Sequence, residues 1–159
     1  KDGLIMKLIP PTFVNLGNPP NMDTCTRDTF EEVTTFTEKK LLRIAKRIVA
    51  VCAHLHNKGI NHGDLYAHNI MINDDADCLL GDFGAASYYA PSSGYASNCE
   101  RIEVRAFGCL LEDILNLVST EQHETNTLSK WHDVIASCMQ ANVQNRPSFT
   151  ELQSTINAF

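Results

Sequence analysis

The sequence is poor in the features that mark a chain for membranes, nucleic acid or a disulfide framework. No run of about eighteen apolar residues occurs, so no membrane-spanning helix is predicted, and no signal-peptide pattern is present. Basic residues are outnumbered, 13 Lys and Arg against 19 Asp and Glu, for a net charge of −6. That balance argues against a surface built to neutralise phosphates, and no nucleic-acid partner is expected. The densest basic run, Lys39, Lys40, Arg43, Lys46 and Arg47, has helical spacing and reads as a solvated helix face. Six cysteines form no Cys-x-x-Cys pair and no regular framework. They are expected to be free thiols acting as small hydrophobes, in a reducing compartment such as the cytoplasm. Cys52-x-His54-x-His56 places its side chains on different faces of a helix, which argues against a shared metal. Internal repeats and low-complexity segments are missing too.

What is present suits one globular core. The 159 residues are 43% hydrophobic and 20% charged, enough for a single domain. Prolines and glycine between residues 10 and 28 predict a rigid turning loop. A first helix is predicted from a Thr35-x-x-Glu38 capping box, through Leu41, Ile44, Ala45, Ile48, Cys52 and Leu55, to a stop at Gly59. Ile70-Met71-Ile72 and Cys78-Leu79-Leu80 flank a polar turn and predict a hairpin. A second helix, Ile102 to Val118, is apolar on most sides and belongs inside the domain. A third is predicted over Leu128 to Gln140. A fourth follows a Ser148-x-x-Glu151 box. The expected fold is mainly α with one small β hairpin.

Two motifs carry chemistry. His62-Gly63-Asp64-Leu65-Tyr66-Ala67-His68-Asn69 is followed, 82 − 64 = 18 residues on from Asp64, by Asp82-Phe83-Gly84. Leu55-His56-Asn57-Lys58-Gly59-Ile60 leads into the first, and Glu103-Val104-Arg105-Ala106-Phe107-Gly108 and Asn145-Arg146-Pro147-Ser148 follow in order. The chain resembles the C-terminal lobe of a eukaryotic-like protein kinase over nearly its whole length. Its wording, together with Cys25-Thr26-Arg27-Asp28, resembles bacterial kinase domains that accompany leucine-rich repeats. The resemblance implies a domain division: residues 1–11 as the last N-lobe strand and hinge, residues 12–159 as the C-lobe. It implies Asp64 as the carboxylate that orients and deprotonates a hydroxyl, with Asn69 beside it. Asn69 and Asp82 are implied to hold Mg²⁺ on the phosphates of ATP. Met6, Lys7, Leu8 and Ile9 are implied to line the adenine, with Met71 beneath it, although Met71 also fits simple core packing. Gly3 to Ile5 read as the strand that precedes them.

Several family features are not among these residues. A Gly-x-Gly-x-x-Gly loop, a Val-Ala-Ile-Lys strand and its paired helix Glu are not found, and the chain starts at Lys1. A fragment of a longer kinase is the expectation, folded but inactive alone, with the N-lobe as its partner in cis. Gly63 stands where regulated kinases carry an Arg, and Tyr66 where Ser/Thr kinases carry a Lys, so the acceptor type is unreadable. Ala-Pro-Glu is missing, which makes Glu100 or backbone carbonyls the candidate partners of Arg146. Glu103 replaces an Asp that tethers the catalytic loop, and there is room for one fewer helix before Arg146. The implied activity is ATP- and Mg²⁺-dependent transfer to a protein hydroxyl. The alternatives are a small-molecule phosphotransferase of the aminoglycoside or choline kinase type, or a pseudokinase binding module.

Overall fold

The computed structural model of the chain describes residues 6–32, 34–119 and 125–159. The proposed strand over Gly3 to Ile5 lies outside the described residues. Met6 to Ile9 carry no regular structure and are exposed.

Four helices make the body, as the apolar periodicity predicts. The first, α1 (Glu38–Asn57), turns Leu41, Ile44, Ile48 and Cys52 fully inward. Each buried aliphatic side chain on that stripe contributes about 1.5–3 kcal/mol relative to exposure. The N-cap is Thr37, whose side chain accepts from the Lys40 amide at 3.2 Å, and not the predicted Thr35. The reason lies one residue earlier. Phe36 bridges to Val118, its amide donating to Leu117 O at 2.9 Å and its carbonyl accepting from Ser119 at 3.2 Å, and this keeps the chain extended up to the cap.

Among the described residues, five short strands follow the same logic of local pairing. They are β1 (Val14–Asn15), β2 (Ile60–Asn61), β3 (Ile70–Ile72), β4 (Cys78–Leu80) and β5 (Ser87–Tyr88). The predicted hairpin is β3–β4, with Met71 opposite Leu79, and β1 adds to its free edge with Asn15 opposite Met71. Its turn is locked by Asn73, whose side-chain oxygen accepts from the Asp77 amide at 2.8 Å. Arg47 and Arg43 of α1 reach Asp77 at 2.8 and 3.7 Å, so two members of the basic run anchor this turn. A second sheet pairs β2 with β5, Ile60 opposite Tyr88 and Asn61 opposite Ser87.

The helix α2 (Ala96–Asn116) lies at the centre, with Val104, Phe107, Leu111 and Ile114 essentially without exposure. It begins six residues before the predicted Ile102. The helix α3 (Thr125–Cys138) packs on α2, and α4 (Phe149–Asn157) packs on α1. At the start of α4 the predicted capping box is complete. Ser148 Oγ accepts from the Glu151 amide at 3.2 Å, and the Glu151 carboxylate accepts from the Ser148 amide at 2.7 Å. Arg146, buried in front of it, donates to Gln140 O at 2.8 Å and Arg101 O at 2.9 Å. Backbone carbonyls therefore hold this guanidinium. Glu100, the other candidate, instead accepts from the Phe149 amide at 2.9 Å.

Candidate functional site

In the loop between β2 and β3 several backbone amides donate to side chains from distant segments, and those partners set the site. Glu103 of α2 is the first. Its carboxylate accepts from the Gly63 amide at 2.7 Å, the His62 amide at 3.2 Å and His56 Nε2 at 2.6 Å. The longer Glu side chain thus reaches the loop backbone. Asp28 is the second, and sequence reasoning gave it no such role. It accepts from the Ala67 and His68 amides and from His68 Nδ1 at 2.7 Å. Its neighbour Arg27 pairs with Glu112 and Asp113 and donates to Cys109 O at 3.0 Å, fastening the same segment to α2. A buried carboxylate that accepts several N–H groups is fully satisfied and acts as a rigid clamp.

Asp64 and Asn69 meet directly. Asn69 Nδ2 donates to the Asp64 carboxylate and to the Asp64 carbonyl, both at 2.9 Å. Both amide protons of Asn69 are consumed, so its Oδ1 remains as an acceptor. His62, fully buried, joins this pair to the Asp82 turn. Its Nε2 lies 2.8 Å from Gly81 O and its Nδ1 3.3 Å from the Asp64 amide, a pattern that the Nε2–H tautomer satisfies on both sides. The Gly81 amide donates to Asn69 O at 2.8 Å, and the Phe83 ring meets the His62 ring edge-on at 4.8 Å. Asp82 therefore stands one residue beyond a junction bonded to both ends of the loop. It is exposed, with left-handed backbone (φ 50°), and accepts from the Gly84 amide at 3.2 Å.

Gly63 has a structural cause that the sequence does not display. Its φ is +80°, and a β carbon there would lie 2.5 Å from Ala85 O. A larger residue at this position would have to move the turn that follows Asp82. Tyr66 is partly buried and lines a cavity of about 330 Å³ with Asp28, Arg105, Cys109 and Asp113. Burial, opposed by the adjoining Arg27, pushes the Asp113 carboxyl up to about 6. The cavity is lined by charges of both signs. A second cavity, about 620 Å³, lies between α3 and α4 and is lined by no catalytic-loop residue. Met71 sits half-buried in the middle of the three-stranded sheet.

The sequence profile of the protein kinase domain matches residues 20–106, the span that holds both motifs and the Asp28 and Glu103 clamps. This chain belongs to the protein kinase domain family. Among proteins similar to it is the mouse tyrosine-protein kinase Srms, 24% identical over 74% of this chain and 32% of that protein. The human serine/threonine-protein kinase Nek10 is 28% identical over 77% of this chain and 14% of its own length. Human 3-phosphoinositide-dependent protein kinase 1 is 27% identical over 53% of this chain and 19% of its own. The chain thus spans about a third or less of these kinases.

An oxygen-donor set suits Mg²⁺, which is usually held by one or two carboxylates with phosphates and water. Asn69 Oδ1 and the Asp82 carboxylate are oxygen donors of this kind, on either side of the Gly81–Asn69 bond. No cluster of three His, Cys, Asp or Glu exists among the described residues, so an all-protein metal cage is not built there.

Proposed function

We propose that this chain is the catalytic-loop half of a protein kinase that transfers a phosphoryl group from ATP to a hydroxyl. Residues 12–159 form its C-lobe and residues 1–11 its hinge with the last N-lobe strand. The observation that carries this reading is the Asn69 side chain, tied through Nδ2 to Asp64 and left with one free oxygen beside the Asp82 turn. One carboxylate oxygen of Asp64 is engaged by Asn69. The other is left to accept the proton of an acceptor hydroxyl. Asn69 Oδ1 and Asp82 are the residues that would hold Mg²⁺, and that ion supplies charge neutralisation on the phosphates. The His62 ring keeps these groups in register by bonding both Gly81 and the Asp64 amide. Met6 to Ile9 and Met71 are proposed to take the adenine, with the phosphate-covering loop and lysine supplied from outside these residues.

The acceptor stays at the level of a hydroxyl, because the similar kinases include tyrosine and serine/threonine enzymes by name. A small-molecule acceptor is favoured by one feature, the short exposed stretch after Gly84 that offers little platform for a peptide. The six free cysteines support a cytoplasmic location. The association with leucine-rich repeats in a bacterial kinase rests on the catalytic-loop wording together with Cys25-Thr26-Arg27-Asp28. Labelled-ATP assays on the protein that carries this chain, against Ser/Thr peptides, Tyr peptides and aminoglycosides, test the proposal. Transfer to one class that is lost in Asp64→Ala supports it. Transfer that survives Asp64→Ala refutes the assignment of the base.

A further inference from the structure

The Glu103 clamp does not end at His56. The other nitrogen of that ring, Nδ1, lies 2.7 Å from the Tyr89 hydroxyl, on the stretch that follows Gly84. The ring is buried and stacked on Phe149 at 5.1 Å, so it cannot turn away from either partner without losing that contact. Tyr89 is itself seated by its backbone. Its amide donates to Gly59 O at 2.8 Å, and its carbonyl passes so near Gly59 that a β carbon there would lie 2.2 Å away. Five residues from four segments therefore form one continuous chain: Tyr89 hydroxyl, His56 ring, Glu103 carboxylate, and the His62 and Gly63 amides.

With Glu103 ionised and His56 neutral, the shorter contacts of this chain order its protons, the Tyr89 hydroxyl lying 2.7 Å from His56 Nδ1 and 3.4 Å from the His56 carbonyl. An ionised Glu103 accepts at Oε2 from His56, which requires the imidazole proton on Nε2. Nδ1 is then an acceptor, and the Tyr89 O–H is the donor that faces it. Burial first, then the nearby Glu100, Cys99 and Glu103, pushes the Tyr89 hydroxyl up to about 12, so it keeps its proton at neutral pH.

We propose that Tyr89 is a positioning residue for the catalytic loop, its hydroxyl holding the His56 ring in the Nε2–H form that lets Glu103 fix the Gly63 and His62 amides. Its bearing on turnover rests on the kinase reading above; the coupling of Tyr89 to the loop does not. The stretch after Asp82-Phe83-Gly84 would thereby report its own placement to the residues beside Asp64, with no charged group on its surface taking part. Displacing Tyr89 would strip Nδ1 of its donor and loosen Glu103, which is buried and, among the described residues, bonded to no side chain but His56.

Nitrogen-15 NMR of the 159-residue chain tests this without any need for catalysis. In the unaltered chain His56 should show a protonated Nε2 and a hydrogen-bonded Nδ1, with a slowly exchanging Tyr89 hydroxyl proton. Tyr89→Phe should move the Nδ1 resonance to the position of an unbonded nitrogen. It should also speed exchange of the Gly63 amide roughly tenfold, the scale of one net hydrogen bond. Tyr88→Phe, at an exposed neighbour, should change neither. An Nδ1–H tautomer in the unaltered chain overturns the proposal, as does Gly63 exchange that is untouched in a folded Tyr89→Phe. Should Tyr89→Phe not fold, the tautomer and hydroxyl of the unaltered chain decide alone. Failure to bind Mg·ATP would count against the kinase reading and leave these resonances where they are.

Discussion

The catalytic loop and the stretch from Gly84 to Tyr95 are close in sequence and opposite in construction. In the loop His62, Leu65, Ala67 and Asn69 are buried, and two carboxylates from distant segments clamp its backbone. The later stretch is mostly exposed and is held by the two-residue pairing β2–β5 and by Tyr89. Asp64 belongs to the first region and Asp82 stands at the border of the second. Rigid clamping is thus concentrated around Asp64, the residue proposed to meet the proton of an acceptor hydroxyl. The border carboxylate is exposed.

Substitutions that remove atoms on either side of that contrast should separate widely. Phe107→Ala, at a site with no exposure beneath the loop, is expected to cost about 3–5 kcal/mol in denaturant unfolding. Phe83→Ala, half exposed, should cost under about 1 kcal/mol. Equal costs would erase the distinction between the regions. Glu103→Ala comes next. It leaves three donors without an acceptor, two of them buried, and should cost roughly 3 kcal/mol, with partial recovery in Glu103→Gln. A loss below about 1 kcal/mol would mean that water replaces the clamp freely.

Gly63→Ala tests the join between the two regions. Its positive φ and the approach of Ala85 O predict a loss of about 1–3 kcal/mol by thermal or chemical denaturation. No loss would show that the turn after Asp82 yields easily. The smallest effect expected is a pH dependence. Asp113 has its folded pKa raised to about 6 from 3.8, so its contribution favours the fold at low pH and is lost as pH rises through that window. Asp113→Asn should flatten the change in stability between about pH 4 and 6. A profile identical to that of the unaltered chain would remove Asp113 as its source.

The features that sequence could supply were those encoded locally. The β3–β4 hairpin, the Ser148 box and the four helices follow from periodicity and caps, and the two motifs sit where their spacing implies. The start of α2 was not legible, because Ala96 to Arg101 add no apolar stripe and Tyr95 makes no side-chain cap. Nor were the clamps. Asp28 reaches a loop 40 residues away, and His56 links Tyr89 to Glu103 across 33 and 47 residues. No spacing rule covers such distances. Gly63 reads in sequence as a missing Arg, whereas its cause is the carbonyl of Ala85.

Asn69 and Asp82 are proposed to hold the magnesium–phosphate end of ATP. An NMR titration of the 159-residue chain with Mg·ATP tests it most directly. Half a nucleotide site should bind weakly, with a Kd on the order of millimolar. Shifts should concentrate on the Asn69 side-chain amide and on Gly81 to Gly84, need Mg²⁺, and vanish in Asp82→Ala. Shifts that leave Asn69 and Asp82 untouched, or that persist unchanged in Asp82→Ala, would contradict the account.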